Sequence, residues 1–167
     1  MPVSATDVKE LRELTGAGML DCKKALDETA GDFAKAVALL KQRGYDAAAK
    51  RSERATAEGM IVSYIHHNNR YGSLVEVNCE SDFVARTDDF RGLVQELALH
   101  VAGANPLYLS PEDIPAGSDL DPKEVCLLLQ PFIKDESRTI QDLVTDTIGK
   151  TGENIRIRRF ARFELGR

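Results

Sequence analysis

Histidine is the side chain best suited to acid–base chemistry and metal ligation, and the chain has three of them. His66 and His67 are adjacent in a segment that predicts a β-strand, so we expect their side chains on opposite faces of a sheet. The two side chains therefore do not form a joint metal site by themselves. His100 lies in an apolar helical segment, where we expect a half-buried histidine with a structural role.

Cysteine is the strongest nucleophile among the side chains, and the three cysteines are widely spaced, at Cys22, Cys79 and Cys126. No CxxC pair and no Cys/His ligand pair occurs, so the sequence predicts neither a disulfide framework nor a zinc site. The GxSxG, P-loop, GxGxxG and HExxH motifs do not occur either. One enzymatic hypothesis stays open, a small hydrolase that uses His66 or His67 with a nearby carboxylate.

The segment Ser81-Asp82-Phe83-Val84-Ala85-Arg86 follows a predicted strand that ends with Cys79 and Glu80. Ser81 or Asp82 can cap a short helix whose first turn contains Phe83 and Val84. Two interpretations of Phe83 are compatible with this pattern. The phenyl ring packs inward against the core, or it projects from a rigid corner and binds a pocket on a partner protein.

The first fifty residues predict three short helices that form a miniature bundle. Apolar residues at helical spacing mark each helix, and Thr6 is the expected N-cap of the first. The sequence Thr15–Gly18 turns the chain, Gly31 ends the second helix, and Asp32 caps the third. Gly44 lies where a C-terminal cap glycine is expected. The apolar faces contain Val8, Leu11 and Leu14; Met19, Cys22, Ala25 and Leu26; and Phe33, Ala36, Val37 and Leu40.

The remaining residues predict an α+β fold: an antiparallel sheet of at least three strands packed with helices on one face. An alanine-rich, basic stretch over 45–57 predicts a helical connector, so we divide the chain into residues 1–50, a connector at 51–57 and a core at 58–167. Alternating patterns predict a hairpin of strands 59–67 and 74–79 and a final strand at 155–165. Helices are expected at 88–103 and 137–150, a helical turn at 125–129, and a proline-rich loop at 105–121.

The overall charge argues against a nucleic acid partner. The chain of 167 residues has a formal net charge of −5, whereas binding to a phosphate backbone depends on an excess of Lys and Arg. No stretch approaches the roughly 20 apolar residues that span a bilayer, and the N-terminus has no apolar signal-peptide region. We therefore expect a cytoplasmic protein with reduced cysteines, no membrane contact and no direct contact with nucleic acid.

The sequence contains three separate stretches that belong together, at 8–13 with 15–26, at 76–86 and at 152–159. They resemble the elongation factor Ts family, whose members exchange guanine nucleotides on elongation factor Tu. The opening residues 8–13 and 15–26 are similar to the family's opening signature, and 152–159 are similar to its closing strand. Residues 76–86 resemble the family's T-D-F-V-A segment, with Ser81 in place of Thr. The stretches occur in the family's order and spacing, and from the first to the last they span most of the chain.

The resemblance implies that the first fifty residues form a three-helix domain of the ubiquitin-associated type. In the family this domain contacts a helix in the GTPase domain of elongation factor Tu, and the matching positions here are Arg12, Met19 and Leu20. The rest of the chain corresponds to the family's core, or dimerisation, region. A non-catalytic adaptor, whose three-helix domain binds a peptide or a ubiquitin-like protein, is the alternative function.

The resemblance also implies a role for Ser81, Asp82, Phe83 and Val84, which match the segment that the family inserts near the magnesium and phosphates of elongation factor Tu. The expected consequence is that the magnesium ion is dislodged and GDP leaves. Such a factor needs no catalytic residue, cofactor or metal of its own. We therefore expect the protein not to be an enzyme, in agreement with the lack of an active-site motif.

The chain departs from the common family pattern in its short core. It has length for only one core subdomain, whereas many members have two, and residues 105–135 are contracted. Short members act as homodimers, so we expect a homodimer through the core sheet. In a similar short form a cysteine occupies the position of Ala161, so a dimer of this chain is expected to be non-covalent there.

Overall fold

The computed structural model describes residues 3–167, which divide into two compact units between Glu53 and Arg54. The first unit consists of helices α1 (Ala5–Thr15), α2 (Met19–Glu28) and α3 (Phe33–Arg51). Its core is formed by small and medium-sized apolar side chains from all three helices: Val8, Leu11, Cys22, Ala25, Leu26 and Ala36. The three predicted helices are therefore present, although two of their predicted ends are wrong.

The N-cap of α1 is Ser4, so the prediction of Thr6 is wrong. The Ser4 hydroxyl accepts a hydrogen bond from the Asp7 backbone N–H at 3.1 Å, and the Asp7 carboxylate accepts one from the Ser4 N–H at 3.0 Å. This reciprocal pair is a capping box, which satisfies two N–H groups that the first helical turn otherwise leaves open. Thr6 already lies inside the helix.

Helix α3 continues through Gly44 to Arg51, so the prediction that Gly44 ends it is also wrong. A glycine inside a helix costs only about 1 kcal/mol relative to alanine, and the alanines that follow at 47–49 favour the helix. Residues 45–51, the first half of the stretch predicted to be a helical connector, are part of α3. Residues 52–57 are turn and irregular structure rather than helix.

The second unit contains five strands and four α-helices, together with two short 3-10 helices at Pro111–Asp113 and Leu127–Leu129. In chain order, the strands and α-helices are β1 (Glu58–Ile65), β2 (Tyr71–Cys79), α4 (Asp82–Ala85), α5 (Asp88–Ala104), α6 (Pro122–Val125), β3 (Pro131–Phe132), β4 (Asp135–Thr139), α7 (Ile140–Thr151) and β5 (Arg156–Glu164). Strands β1, β2 and β5 form an antiparallel sheet with β2 in the centre. The predicted α+β class is confirmed.

One face of this sheet is covered and the other is open. Ser73, Val75, Val77 and Cys79 of β2 point inward, and the Ser73 hydroxyl donates a hydrogen bond to the Ala98 carbonyl of α5 at 2.6 Å. Helix α5 supplies most of the covering side chains, which are fully buried: Phe90, Val94, Leu97, Ala98 and Val101. Because successive side chains of a strand alternate between faces, the other half of each strand faces outward.

The short hairpin β3–β4 was not predicted, and it displaces the start of the following helix. Ser137, the expected first residue of that helix, lies in β4, and α7 begins at Ile140. Thr139 caps α7 because its hydroxyl accepts from the Asp142 N–H at 3.2 Å, while the Asp142 carboxylate accepts from the Thr139 N–H at 2.9 Å. None of the helices in residues 3–167 is long and apolar enough to cross a membrane.

Candidate partner-binding site

The residues predicted to bind a partner form a sharp turn at the end of β2, which we call the β2–α4 corner (residues 80–85). The chain leaves the sheet after Cys79, and Ser81 is the N-cap of the single-turn helix α4. The Ser81 hydroxyl accepts a hydrogen bond from the Val84 N–H at 3.2 Å. A strand and a capped helical turn therefore meet here without a flexible loop between them.

Phe83 and Val84 lie on opposite sides of this helical turn. The Phe83 side chain is 76% exposed, whereas Val84 is buried at 5%. The interpretation that Phe83 packs into the core is therefore wrong, because Val84 fills that position instead. Asp82 is also exposed and forms an ion pair with Arg86, with 2.8 Å between carboxylate oxygen and guanidinium nitrogen.

Helix α5 begins directly after the corner and supports it from the C-terminal side. The Thr87 hydroxyl donates to the Val84 carbonyl at 2.7 Å and accepts from the Phe90 N–H at 3.3 Å. One side chain thus links the end of α4 to the start of α5. Because Phe90 is fully buried, this link ties the corner to the core of the unit.

The turn between α7 and β5 holds the corner from the other side, through residues that the sequence did not suggest. The Glu153 carboxylate accepts hydrogen bonds from the N–H groups of Glu80 and Ser81 and from the Ser81 hydroxyl. The Glu80 carboxylate in turn accepts from the Asn154 N–H at 2.6 Å. The one sequence feature that marks Glu153 is its position in the stretch 152–159.

The other predicted partner contacts lie in the first unit and are exposed. Arg12 is exposed on α1, and Met19 and Leu20 begin α2, where Leu20 is 74% exposed. Leu14 on α1 is also exposed, although its spacing predicted an inward position. Exposed large apolar side chains on so small a bundle are typical of a binding surface.

A second apolar surface lies on the open side of the sheet. We call it the apolar sheet face; it contains the exposed side chains of Ile61, Ile65, Leu74 and Phe163. Leu74 is paired in register with Ser63 on one side and Ala161 on the other, so it lies at the centre of this face. The alternation of β1 is the signal in the sequence that identifies Ile61 and Ile65.

The two adjacent histidines do not point to opposite faces, because they lie beyond the end of β1. The rings of His66 and His67 are 4.1 Å apart, and the ring of His66 is stacked on Tyr71 at 4.5 Å. His66 Nδ1 is 3.1 Å from the Tyr64 hydroxyl, which makes its observed partner a phenol rather than a carboxylate. Among residues 3–167 no group of three or more His, Cys, Asp or Glu side chains is arranged to hold a metal ion.

His100 is completely buried instead of half-buried, and both of its ring nitrogens have partners. Nε2 lies 3.0 Å from the Gln130 side-chain oxygen, and Nδ1 accepts from the Ile133 N–H at 3.2 Å. A ring that donates from Nε2 and accepts at Nδ1 is neutral. Burial accordingly lowers the pKa of His100 below its ordinary value.

The three cysteines are all buried and unpaired as thiols. Burial, and after it the charge of the Glu153 carboxylate, raises the pKa of Cys79 to about 11. Its thiol donates to the Ser81 carbonyl at 3.2 Å. A thiol that stays protonated is a poor nucleophile, so Cys79 acts as a packing residue beside the corner.

A capped corner that exposes a phenyl ring, and a helical unit that exposes apolar side chains, are features of a protein that acts by binding another protein. Comparison with known sequences identifies the group. The sequence model of the family described as Elongation factor TS matches residues 6–118. The chain belongs to the elongation factor Ts family.

Individual relatives agree with this assignment over nearly the whole chain. The chain is 47% identical to the elongation factor Ts of Heliobacterium modesticaldum, covering 98% of this chain and 90% of the relative. Identity to the elongation factor Ts of Thermoanaerobacter pseudethanolicus is also 47%, with 98% and 95% covered. Both alignments run over 194 positions, more than the 167 residues of this chain, so these relatives contain segments that it lacks.

Proposed function

We propose that this protein is the guanine-nucleotide exchange factor of elongation factor Tu in translation elongation, the role of the family to which it belongs. It works by binding and not by chemical catalysis. The observation that carries the proposal is the β2–α4 corner, where Phe83 is exposed within the stretch that resembles the family's T-D-F-V-A segment. We expect it to act in the cytoplasm, where translation takes place.

The four residues of the corner divide into two groups in this proposal. Phe83 and Asp82 are exposed and contact elongation factor Tu near the magnesium and phosphates. Ser81 and Val84 hold the corner in shape, because Ser81 caps the helical turn and Val84 is buried beneath it. Insertion of a rigid phenyl ring displaces the partner's groups around the ion without first ordering a loop on the factor.

Loss of magnesium explains why such contacts release GDP. The ion bridges nucleotide oxygens and protein ligands, so the nucleotide loses a large part of its binding energy when the ion leaves. Binding free energies are state functions, so the protein and the nucleotide weaken each other's binding to elongation factor Tu to the same extent. No side chain of the factor needs to take part in bond breaking.

The first unit provides the second contact with elongation factor Tu. Arg12, Met19 and Leu20 are exposed on neighbouring helices, where a cation and two apolar side chains are available to a partner helix. Two weak contacts on one chain increase the overall affinity because the second forms at a high effective concentration. The corner is then free to act on the magnesium site while the first unit holds the partner.

We further propose that the protein is a non-covalent homodimer through the apolar sheet face. A sheet of three strands that is covered on one side only leaves Ile61, Ile65, Leu74 and Phe163 in contact with water. A second copy buries these side chains against the same side chains of the first copy. Ala161 on this face excludes a disulfide at the position where a similar short form has cysteine.

Release of a fluorescent GDP analogue from its complex with elongation factor Tu and magnesium tests the proposed exchange activity. We expect the chain to accelerate release in proportion to its concentration, up to a maximum rate. A chain that binds elongation factor Tu without accelerating release is the adaptor of the alternative hypothesis. Hydrolysis of a substrate with no effect on elongation factor Tu would support the hydrolase.

A further inference from the structure

We propose that Glu153 is a positioning residue for nucleotide exchange: it holds the β2–α4 corner so that Phe83 is presented in the orientation that acts on elongation factor Tu. The inference rests on the exchange function proposed above. Glu153 lies in the turn between α7 and β5, 72 residues from Ser81 in the sequence. Its side-chain carboxylate accepts hydrogen bonds from residues of the corner.

Glu153 holds the β2–α4 corner with three hydrogen bonds, which we call the clamp. One carboxylate oxygen accepts from two consecutive backbone N–H groups, Glu80 at 3.1 Å and Ser81 at 3.0 Å. The other oxygen accepts from the Ser81 hydroxyl at 2.6 Å. Hydrogen bonds to a charged acceptor are roughly twice as strong as neutral ones. These three bonds therefore fix both the backbone and the side chain of the residue that caps α4.

The same two turns are joined a second time in the opposite direction. The Glu80 carboxylate accepts from the Asn154 N–H at 2.6 Å and lies 3.5 Å from the Arg54 guanidinium. The Asn154 side chain donates to the Arg54 carbonyl at 2.9 Å. Each turn thus gives a carboxylate to the other's backbone, so the two turns move as one body.

The hydrogen bond to the Ser81 hydroxyl connects the clamp to Phe83. A hydroxyl has one hydrogen to donate, and Ser81 gives it to Glu153, so its lone pairs face the Val84 N–H. That second bond caps α4, a single turn too short to be stable without tertiary contacts. Phe83 is 76% exposed, so its direction is set by the helical turn that carries it, and that turn depends on this chain of bonds.

The test measures the rate of GDP release from elongation factor Tu at increasing concentrations of the full chain, with variants at position 153. We expect Glu153→Ala to lower the maximum rate at least about tenfold, the effect of losing one charge-assisted hydrogen bond. The half-saturating concentration should change less, because the first unit still binds. Glu153→Gln keeps one carbonyl acceptor for the two backbone N–H groups but none for the Ser81 hydroxyl, so it should recover only part of the rate. Glu136→Ala, a change at an exposed acidic residue of β4, is the matched control.

A double-mutant cycle with Phe83→Ala separates positioning from a general loss of structure. If Glu153 acts through Phe83, Glu153→Ala has almost no further effect on the rate once Phe83 is alanine. An equal fold-loss in both backgrounds overturns the proposal. Should Glu153→Ala fail to fold, Glu153→Asp replaces it, since the shorter side chain withdraws the carboxylate from Glu80 and Ser81 and leaves the Ser81 cap of α4 in place, and the same cycle then decides.

Hydrogen exchange of the Glu80 and Ser81 amides measures the clamp without elongation factor Tu. We expect both amides to be protected in the wild type and in Glu153→Gln, and unprotected in Glu153→Ala. If the wild-type chain accelerates GDP release and Glu153→Ala accelerates it equally, the role of Glu153 is overturned and the exchange function is not. A wild-type chain that does not accelerate release overturns the exchange function, and the role of Glu153 in exchange with it.

Discussion

Phe83 and Val84 are neighbours in the sequence, but a single helical turn gives them opposite environments. Phe83 is in water and Val84 is in the core. A large aromatic ring that is mostly exposed adds little to the hydrophobic stabilisation of the fold, and we propose that a partner protein buries it. Substitutions at the two positions should therefore affect different properties.

Phe83→Ala should leave the free energy of unfolding within about 0.5 kcal/mol of the wild type, as surface substitutions do, and strongly reduce the exchange rate. Denaturant unfolding and GDP release measure the two effects. Val84→Ala is the matched change in the core, and we expect it to cost about 1–3 kcal/mol. A loss of ~3–5 kcal/mol for Phe83→Ala would show that the ring packs in the core and contradict the proposed contact.

His100 should make stability depend on pH on the acid side of neutrality. Burial lowers the pKa of His100 in the folded state below the value of 6.5 expected for the unfolded chain. As the pH falls below about 6.5, the unfolded state therefore takes up the proton first, and stability decreases. Above that pH the ring is neutral in both states and its contribution is constant.

The expected slope is at most about 1.4 kcal/mol per pH unit for one such group. Urea unfolding between pH 5 and pH 8 measures it, and His100→Gln should flatten this part of the curve relative to wild type. Identical slopes in the wild type and His100→Gln would show that His100 titrates normally in the folded state.

At the scale of elements, the sequence predicted the helices and strands that have a long apolar pattern, and it missed a strand that has none. The helix predicted at 88–103 is Asp88–Ala104 and the strand predicted at 155–165 is Arg156–Glu164, because each has a long apolar pattern. The strand Asp135–Thr139 has only polar residues, so no alternation identifies it. The run of alanines after Gly44 outweighs the glycine and extends α3.

The clamp at Glu153 illustrates what sequence patterns leave out. Periodicity and capping rules describe neighbours within about four residues, whereas Glu153 meets Glu80 and Ser81 only through the pairing of β2 with β5. The sequence predicted Ser81 or Asp82 as the cap, and Ser81 holds that position. No local pattern in the sequence indicates which distant carboxylate accepts the hydrogen bond of the Ser81 hydroxyl.

Removal of residues 1–53 should leave a folded second unit that binds elongation factor Tu more weakly. The first unit has its own core of six buried side chains, and the sheet and its covering helix α5 lie entirely after Arg54. Circular dichroism and titration with elongation factor Tu measure folding and affinity. The full-length double variant Met19→Ala, Leu20→Ala is the control, and we expect it to lose a similar part of the affinity.

Two results would contradict this prediction. If the shortened chain fails to fold, the boundary between the units is wrong. If it folds and binds elongation factor Tu as tightly as the full chain, then Arg12, Met19 and Leu20 are not contacts.

At the scale of the whole molecule, the apolar sheet face predicts the oligomeric state. Sedimentation at micromolar concentration should give a species of about twice the chain's 18.4 kDa. Leu74→Lys places a charge at the centre of the face and should shift the species toward the monomer. Leu107→Lys, in the proline-rich segment, is the matched change at another exposed leucine and should leave the dimer intact. An 18.4 kDa species for the wild type rejects the dimer.

The final prediction concerns the coupling between the factor and the nucleotide on elongation factor Tu. If this chain weakens GDP binding by some factor, GDP must weaken the chain's binding by the same factor. The chain should therefore bind nucleotide-free elongation factor Tu most tightly and the GDP–magnesium form least. Chelation of magnesium should reduce the difference, because part of the coupling is the displacement of that ion by the β2–α4 corner.

Calorimetric titration of elongation factor Tu in three states (empty, with GDP, and with GDP and magnesium) measures this coupling directly. Phe83→Ala should lower the affinity for the empty form and bring the three affinities closer together, since the ring that competes with the ion is missing. Glu136→Ala should retain the wild-type differences. Equal affinities of the wild-type chain for all three states would mean that it binds without exchanging, and the adaptor function would then replace the one proposed here.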